Sequence, residues 1–443
     1  MRQLRHRSRV VALVGLVAVL VSACAGGDGG GDAAAPDTAA GGIVFAEGVT
    51  SEPCPDAVNA DNGCIYLGIL SDLSEGPFAA LAVPIVEGQR AFWQEVNASG
   101  GIGGFDVDID TYTRDTKYNT QEHATAYRQI EPNILALAQT LGTPTTLAIL
   151  RDMDRDDMIG SPASWWSGWH FDESDRGLIL ESGYSYCTEA MIGLDWYSAN
   201  VAAPTSVLAV GYPGDYGGDS AQGVSEWAAA TGTTFAGKVE TAPNASIGSQ
   251  DAAVARVLSS GADVVVLAAG PAETAEIVSK AAAGGFEGRF IGAIPTWNPA
   301  LADTPAGPFL QELFYHVSPW ENWGGTSVAH DKMRATLGGA EPTNDGYTFG
   351  WIWSYPMKAA LEAAVANGDL TRRGMRSVVD GLTVDYEGAL PTMTYGGEPG
   401  ASAPRIGTIN RPDPQGALGI GQIATEVSGP TVSAYDYVGA CSG

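Results

Sequence analysis

Apolar and polar positions follow two different periodicities along most of the chain. Residues 65–70 form an apolar run of strand length, whereas Ile85, Phe92 and Val96 recur at the spacing of one helix face, with Pro84 where that helix is expected to begin. Further strands are predicted at residues 105–113, 134–140, 206–210, 234–240, 263–269 and 289–293. Further helices are predicted at residues 120–130, 145–157, 188–200, 217–231, 250–260, 272–283, 348–367 and 372–382. This alternation predicts an α/β protein whose parallel sheets are covered by helices on both faces.

Length and composition sharpen the α/β prediction. A chain of 443 residues is too long for one ordinary core and suits two compact lobes. A hydrophobic content of 45% is enough to build such cores, which excludes wholesale disorder. The formal net charge of −28 excludes nucleic acid as a partner, because binding to phosphates depends on basic residues. The acidity alone does not select a ligand.

The first residues have the pattern of an export signal. Arginines within residues 2–9 precede an apolar stretch at residues 10–21, which is too short to span a bilayer. Residues 20–24 (LVSAC) resemble the lipobox of bacterial lipoproteins, in which the cysteine is lipidated and becomes the mature N-terminus. We therefore predict a signal peptide at 1–23, a lipidated Cys24 and a flexible tether at 24–52. The alternative is an ordinary signal peptide with a chance cysteine.

Four cysteines remain after the lipobox. An even number of cysteines in an exported protein favours disulfides, and the chain contains no C-x-x-C pair. Cys54 and Cys64 close a short local loop and are predicted to pair. Cys187 and Cys441 are then left to form the second disulfide.

Catalytic and metal-binding motifs are not found in the sequence. Asp106, Asp108 and Asp110 alternate along a predicted strand without the glycine and later glutamate of a calcium loop, which favours a solvated face. The histidines lack zinc-site spacing, and no nucleophile elbow or phosphate-binding loop is present. We therefore expect no metal, no cofactor and no enzymatic activity.

Aromatic residues concentrate in segments that follow predicted strands. Residues 161–171 (SPASWWSGWHF) contain Trp165, Trp166 and Trp169. Aromatic side chains at the carboxyl ends of parallel strands commonly line ligand crevices. Packing of the loop against the sheet explains them equally well, so both interpretations stay open here.

Nine segments carry motifs of one known family: residues 65–71, 75–78, 88–91, 96–104, 142–146, 161–164, 212–217, 263–273 and 284–294. They resemble the branched-chain-amino-acid-type solute-binding proteins, which are leucine-binding-protein-like, type I periplasmic binding proteins of ATP-binding-cassette (ABC) importers. The resemblance implies two Rossmann-like lobes joined by a three-segment hinge. Lobe one is then expected at 53–183 and 320–384, and lobe two at 184–319 and 385–443.

The same resemblance implies a function. The protein is expected to capture a small organic solute between its lobes and deliver it to the membrane permease of an ABC importer. It would act as a monomer on the extracytoplasmic face, in contact with the membrane only through its lipid. The alternative is a sensor that reports ligand occupancy to a membrane partner, since one fold serves both roles.

Family binding positions transfer to individual residues of this chain. In relatives, a hydroxyl residue and backbone amides after the third strand hold a substrate carboxylate. This region matches Gly142 and Thr143 of this chain. A helix that starts here would also favour an anion. The other matched positions are Phe78, Leu81, Ala163, Ser164, Trp165, Tyr216, Gly270, Ile294 and Phe349.

Three matched positions depart from relatives that bind amino acids. Trp165 stands where those relatives often have a hydroxyl residue, Gly270 where a tyrosine contacts the ligand, and Ile294 where a carboxylate binds the α-ammonium. A buried ammonium without its acid would cost several kcal/mol. Because Trp165 and Ile294 would make the cleft more aromatic and apolar, we hypothesise an acid, an amide or a ring-bearing metabolite as ligand. An amino acid or amino-acid-like solute is the family's alternative.

Overall fold

The computed structural model describes residues 37–38 and 42–442. The predicted signal peptide at 1–23 and the predicted lipidation site Cys24 lie outside the described residues. Among the described helices, none is long and apolar enough to cross a membrane.

The described elements alternate between strands and helices. The strands are β1 (Asp37–Thr38), β2 (Val44–Phe45), β3 (Val49–Thr50), β4 (Gly63–Ser71), β5 (Phe105–Asp115), β6 (Ala136–Thr140), β7 (Ser206–Gly211), β8 (Thr234–Glu240), β9 (Val264–Ala268), β10 (Arg289–Gly292), β11 (Phe314–Ser318), β12 (Asp369–Leu370), β13 (Thr383–Val384), β14 (Met393–Thr394), β15 (Gly407–Pro412) and β16 (Ile420–Val427). The α-helices are α1 (Ala79–Ala98), α2 (Thr120–Ile130), α3 (Thr143–Arg155), α4 (Asp172–Asp175), α5 (Tyr186–Asn200), α6 (Asp215–Thr231), α7 (Asn244–Ile247), α8 (Asp251–Ser260), α9 (Pro271–Ala283), α10 (Gly307–Leu313), α11 (Val328–Thr336), α12 (Gly346–Ala366), α13 (Arg372–Ser377), α14 (Pro399–Ser402) and α15 (Pro430–Ala434).

Two main sheets organise the protein into two lobes. In the first sheet β4 pairs in parallel with β5 and β6, and β3 adds an antiparallel pair at its edge. The second sheet has seven strands in the order β16-β15-β11-β10-β9-β7-β8. Five of them, β7 to β11, run parallel to one another. This arrangement confirms the predicted α/β class. The residue boundaries of the lobes stay a prediction.

Each sheet has its own hydrophobic core. One cluster surrounds the first sheet and includes the buried aromatic face of α12. Two further clusters lie on the two faces of the seven-stranded sheet, one under α5 and α6 and the other under α8 and α9. Helices thus cover both faces of the second sheet, as its nearly uninterrupted apolar strands require.

The helix α1 begins five residues earlier than the prediction that placed its start at Pro84. Pro84 lies inside the helix and lacks the N–H that would bond the carbonyl of Ala80. The side-chain amide of Asn344 donates to that carbonyl instead, at 2.8 Å. A donor distant in sequence therefore lets the helix continue through proline.

The prediction that Asp106 lies on a solvated face is wrong. Asp106 is fully buried and accepts hydrogen bonds from the backbone of Val58 and Asn59 and from the side chains of Asn59 and Asn62. Burial raises the pKa of this carboxyl, but the hydrogen bonds outweigh burial and leave its pKa below the usual value. Asp106 therefore fixes the loop before β4 to the sheet.

Both predicted disulfides are present. Cys54 of that loop pairs with Cys64 of β4, and Cys187 pairs with Cys441. The predicted tether is wrong for its last part, because β2 pairs with β12 and β3 pairs with β4. Phe45 is buried against Phe105, with ring centroids 5.8 Å apart. The folded body therefore includes residues before 53.

Candidate ligand-binding cleft

A small cavity gathers most of the residues that the sequence predicts as ligand contacts. Its volume is about 50 Å³, and we call it the cleft. Seven predicted residues line it: Phe78, Leu81, Gly142, Ala163, Ser164, Trp165 and Tyr216. The wall also contains residues that were not predicted, namely Ala82, Ile85, Tyr118, Leu141, Tyr186, Asp215, Pro295 and Trp353. The cleft therefore contains residues that precede and follow β7, from both halves of the fold.

The loop between β4 and α1 carries Phe78 to the cleft. The buried carboxylate of Asp72 accepts hydrogen bonds from the N–H groups of Gly76 at 2.9 Å and Phe78 at 2.8 Å. A Cβ at Gly76 would lie 2.3 Å from that carboxylate, so a larger residue there would displace Asp72 from these hydrogen bonds. The Phe78 ring then meets the Tyr118 ring edge-on, with centroids 4.7 Å apart.

The start of α3 forms a polar wall of the cleft. Gly142 precedes the helix at φ +90°, and a Cβ there would lie 2.3 Å from the Tyr118 ring. Pro144, the second residue of α3, has no N–H, so Thr143 and Thr145 carry the first N–H groups of the helix. Such groups have no partner within the helix, and the helix dipole favours negative charge at this end. Thr143 Oγ1 lies 3.0 Å from Ser164 Oγ, so two hydroxyl groups accompany these amides. Thr143 is thus beside the wall, joined to it through Ser164.

Aromatic side chains form much of the remaining wall. Trp165 donates from its indole N–H to the carbonyl of Ser182 at 2.9 Å, which fixes the ring. Its ring centroid lies 4.8 Å from that of Trp353 and 5.9 Å from that of Tyr186. Phe349, predicted to cover the ligand, packs 5.9 Å from Trp165 but does not line the cavity, where Trp353 of the same helix stands instead.

Gly270 and Ile294 lie next to the wall without forming it. Gly270 precedes α9, and a Cβ there would approach the Tyr212 hydroxyl to 2.7 Å. Ile294 is buried, and its neighbour Pro295 lines the cleft. The Ile294 N–H donates to Glu189 Oε1 at 2.8 Å. A carboxyl group from α5 therefore reaches the position where the sequence predicts none.

Two acidic side chains correct the prediction that the cleft lacks acid. Asp215 begins α6 and lines the cleft, and burial raises the pKa of its carboxyl. Glu189 lies behind the wall and accepts from the Tyr184 hydroxyl at 2.8 Å. Burial raises the pKa of Glu189 to about 8. Its Oε2 has no hydrogen-bond partner among the described residues.

The sequence could have indicated Asp215 as a residue of the cleft, because it lies in the motif Tyr212–Gly217 directly before the predicted Tyr216. Tyr216 donates from its hydroxyl to the carbonyl of Ala269 at 3.2 Å, which leaves its ring against Tyr186 at 4.7 Å. Asp215 occupies the first position of α6 and lines the cleft together with Tyr216.

Comparisons with known proteins identify the class to which this fold and cleft belong. The family model described as periplasmic binding protein matches residues 65–404, which is more than half of the chain. The chain therefore belongs to the periplasmic binding protein family, and its class is that of the solute-binding proteins of ABC transporters. The family implies an extracytoplasmic location, a small-molecule ligand and a permease partner. No curated protein matches the sequence.

Solved structures share the fold. A fatty acid ABC transporter substrate-binding protein from Thermomonospora curvata is 24% identical, with a TM-score of 0.77, over 90% of this chain and 100% of that chain. A branched-chain amino acid ABC transporter protein from Thermus thermophilus with bound valine is 15% identical, with a TM-score of 0.70, over 84% and 98%. A leucine-binding protein from Thermotoga maritima is 13% identical, with a TM-score of 0.65, over 82% and 98%. These likenesses support the predicted type I fold with two lobes.

Proposed function

We propose that the protein binds an amino-acid-like zwitterion with an apolar or aromatic side chain and delivers it to an ABC importer. The observation that carries this proposal is the presence of two kinds of polar group, hydroxyls with a helix start and a carboxyl, in the wall of an otherwise apolar cleft. The start of α3, with Thr143 and Ser164, suits a carboxylate, and Asp215 suits an ammonium group.

The charge of Asp215 separates a zwitterion from a simple acid. A carboxylate held at the start of α3 would lie in the same small cleft as the Asp215 carboxyl, because Gly142, Ser164 and Asp215 all line it. A ligand with only a negative charge would be repelled by Asp215 or would require its protonation. A zwitterion places an ammonium beside Asp215 and its carboxylate at the helix, so both groups are paired.

The size and the wall of the cleft define the rest of the ligand. A volume of about 50 Å³ is room for one or two water molecules, at ~30 Å³ each. The aromatic rings must therefore move apart before a solute can enter. The two lobes would then close on the bound solute. Trp165, Trp353 and Tyr186 would then enclose an apolar or aromatic side chain.

A simple apolar acid is the second candidate. The wall is mainly apolar, and Ile294 stands where the resemblance places an ammonium-binding acid. The Thermomonospora curvata structure is titled a fatty acid transporter protein, which supports the same candidate.

Matched pairs of ligands test the two candidates. Isothermal titration compares leucine with 4-methylpentanoate, and phenylalanine with 3-phenylpropanoate, because the members of each pair differ only by the α-ammonium. We expect the amino acid to bind about tenfold or more tightly in at least one pair. Tighter binding of both deaminated acids would establish the second candidate and reject the zwitterion.

We also propose that Cys24 carries the lipid that anchors the protein to the membrane. The support is the lipobox at residues 20–24. Mass spectrometry of the N-terminal peptide from membranes of the native host should find a lipidated Cys24, and Cys24→Ala should release the protein. An unmodified cysteine would reject the anchor but leave the ligand proposal untouched.

A further inference from the structure

A larger cavity, of about 560 Å³, shares no wall residue with the cleft. We call it the Glu181 cavity. Its wall includes Trp169, His170, Asp175, Glu181, Arg376 and Tyr395. Asp380, Gly397 and Glu398 also line it and are exposed, so the cavity is accessible from solvent.

Glu181 is an unpaired acid in the wall of this cavity. The residue is 3% exposed, and neither of its carboxyl oxygens has a hydrogen-bond partner among the described residues. The nearest basic nitrogen, His170 Nε2, lies 3.7 Å away, beyond hydrogen-bond distance. Burial and the charge of Arg405 lower the pKa of His170 to about 4, so its ring is neutral at pH 7. His170 therefore supplies no positive charge to Glu181.

The arginines of the wall are bound elsewhere. Arg176 donates to Asp154 at 2.8 Å, and Arg376 donates to Asp154 and Asp157, each at 2.9 Å. Neither of these acids lines the cavity. Asp175, a second buried acid of the wall, accepts from the N–H of Gly177 at 2.8 Å. The interior of the cavity thus has buried acids without a positive partner. Burial raises the pKa of Glu181 well above its usual value and that of Asp175 to about 7, so a bound cation would stabilise the charged form of either group.

We propose that the Glu181 cavity binds a small organic cation, a primary ammonium on an apolar or aromatic body, with the Glu181 carboxylate as its counter-ion. A buried carboxyl without a partner is costly, and an ammonium supplies both charge and three donors. The aromatic rings of Trp169 and Tyr395 in the same wall suit a cation or its apolar body. A metal ion fits less well, because the volume far exceeds one ion and the described residues contain no cluster of three or more potential metal ligands.

Benzylamine and benzyl alcohol test this proposal as a charged probe and its neutral counterpart. Titration calorimetry should detect benzylamine binding to the wild-type protein and at least about tenfold weaker binding of benzyl alcohol. Glu181→Gln should weaken benzylamine binding about tenfold or more. The control Glu398→Gln removes one charge from the exposed rim of the same cavity and should change the affinity less than about threefold.

A crystal of the wild-type protein soaked in benzylamine tests the site without relying on the variant. The nitrogen should lie within hydrogen-bond distance of the Glu181 carboxylate, and leucine should not displace the probe. Absence of binding, equal binding of both probes, or an amine that is bound in the cleft would overturn the proposal. These outcomes do not depend on the ligand of the cleft.

Discussion

Replacement of Asp215 by asparagine separates the charge of the cleft from its shape. The substitution keeps the size and the position of the side chain in the wall of the cleft, and removes only the negative charge. A hydrogen bond to a charged group contributes about 1.5–3 kcal/mol, and 1.4 kcal/mol is tenfold in affinity. The Kd for leucine or phenylalanine should therefore rise roughly 10- to 150-fold. The Kd for the matched acid without an ammonium should stay unchanged or fall, since a repulsive charge is lost.

Titration calorimetry of both ligand types against both proteins completes this test. Asp251→Asn is the matched control, because Asp251 is the first residue of α8 as Asp215 is of α6, but it is exposed and bound to Lys280. This control should leave both affinities unchanged. An equal loss for amino acids and deaminated acids in Asp215→Asn, or no loss for amino acids, would refute the assignment of Asp215 to the ammonium.

Three further results are expected. Gly142→Ala should lower the melting temperature and weaken ligand binding, because alanine is strained at φ +90° and its Cβ would lie 2.3 Å from Tyr118. An unchanged melting temperature and an unchanged Kd would contradict this. The double variant Cys187→Ser/Cys441→Ser opens a loop with a sequence separation of 254, and should lose up to about 5 kcal/mol of unfolding free energy in urea titrations. The raised pKa of Glu189, about 8, means that the folded protein holds a proton that the unfolded chain releases near pH 4.5. The free energy of unfolding should therefore fall as pH rises from about 4.5 to about 8. In the Glu189→Gln variant this free energy should fall less over the same range. Parallel curves of unfolding free energy against pH for the two proteins would contradict this.

Local patterns were sufficient to predict most elements of the fold. Helix α2 and strand β8 have the predicted bounds of residues 120–130 and 234–240, because their apolar spacing and their flanking residues are local features. The start of α1 was not predictable in this way. The helix passes through Pro84, and Asn344, distant in sequence, donates to the carbonyl that the proline leaves free.

Side-chain orientation explains the parts of the cleft that the sequence did not predict. Phe349 and Trp353 are four residues apart on α12 and both are buried aromatics, so the packing of the helix decides which ring reaches the cleft. Glu189 reaches Ile294 across a separation of 105 residues. The sequence around residue 294 therefore does not indicate that the Glu189 carboxyl lies beside it.

A crystal structure of the leucine complex tests the proposed function by locating each charged group of the ligand. We expect the lobes to enclose leucine in the cleft, with its carboxylate within hydrogen-bond distance of Thr143 or Ser164 and its ammonium at Asp215. The side chain should lie against Trp165 and Tyr186. A ligand outside the cleft, or one whose carboxylate faces Asp215 while its ammonium faces the start of α3, would contradict the proposed function.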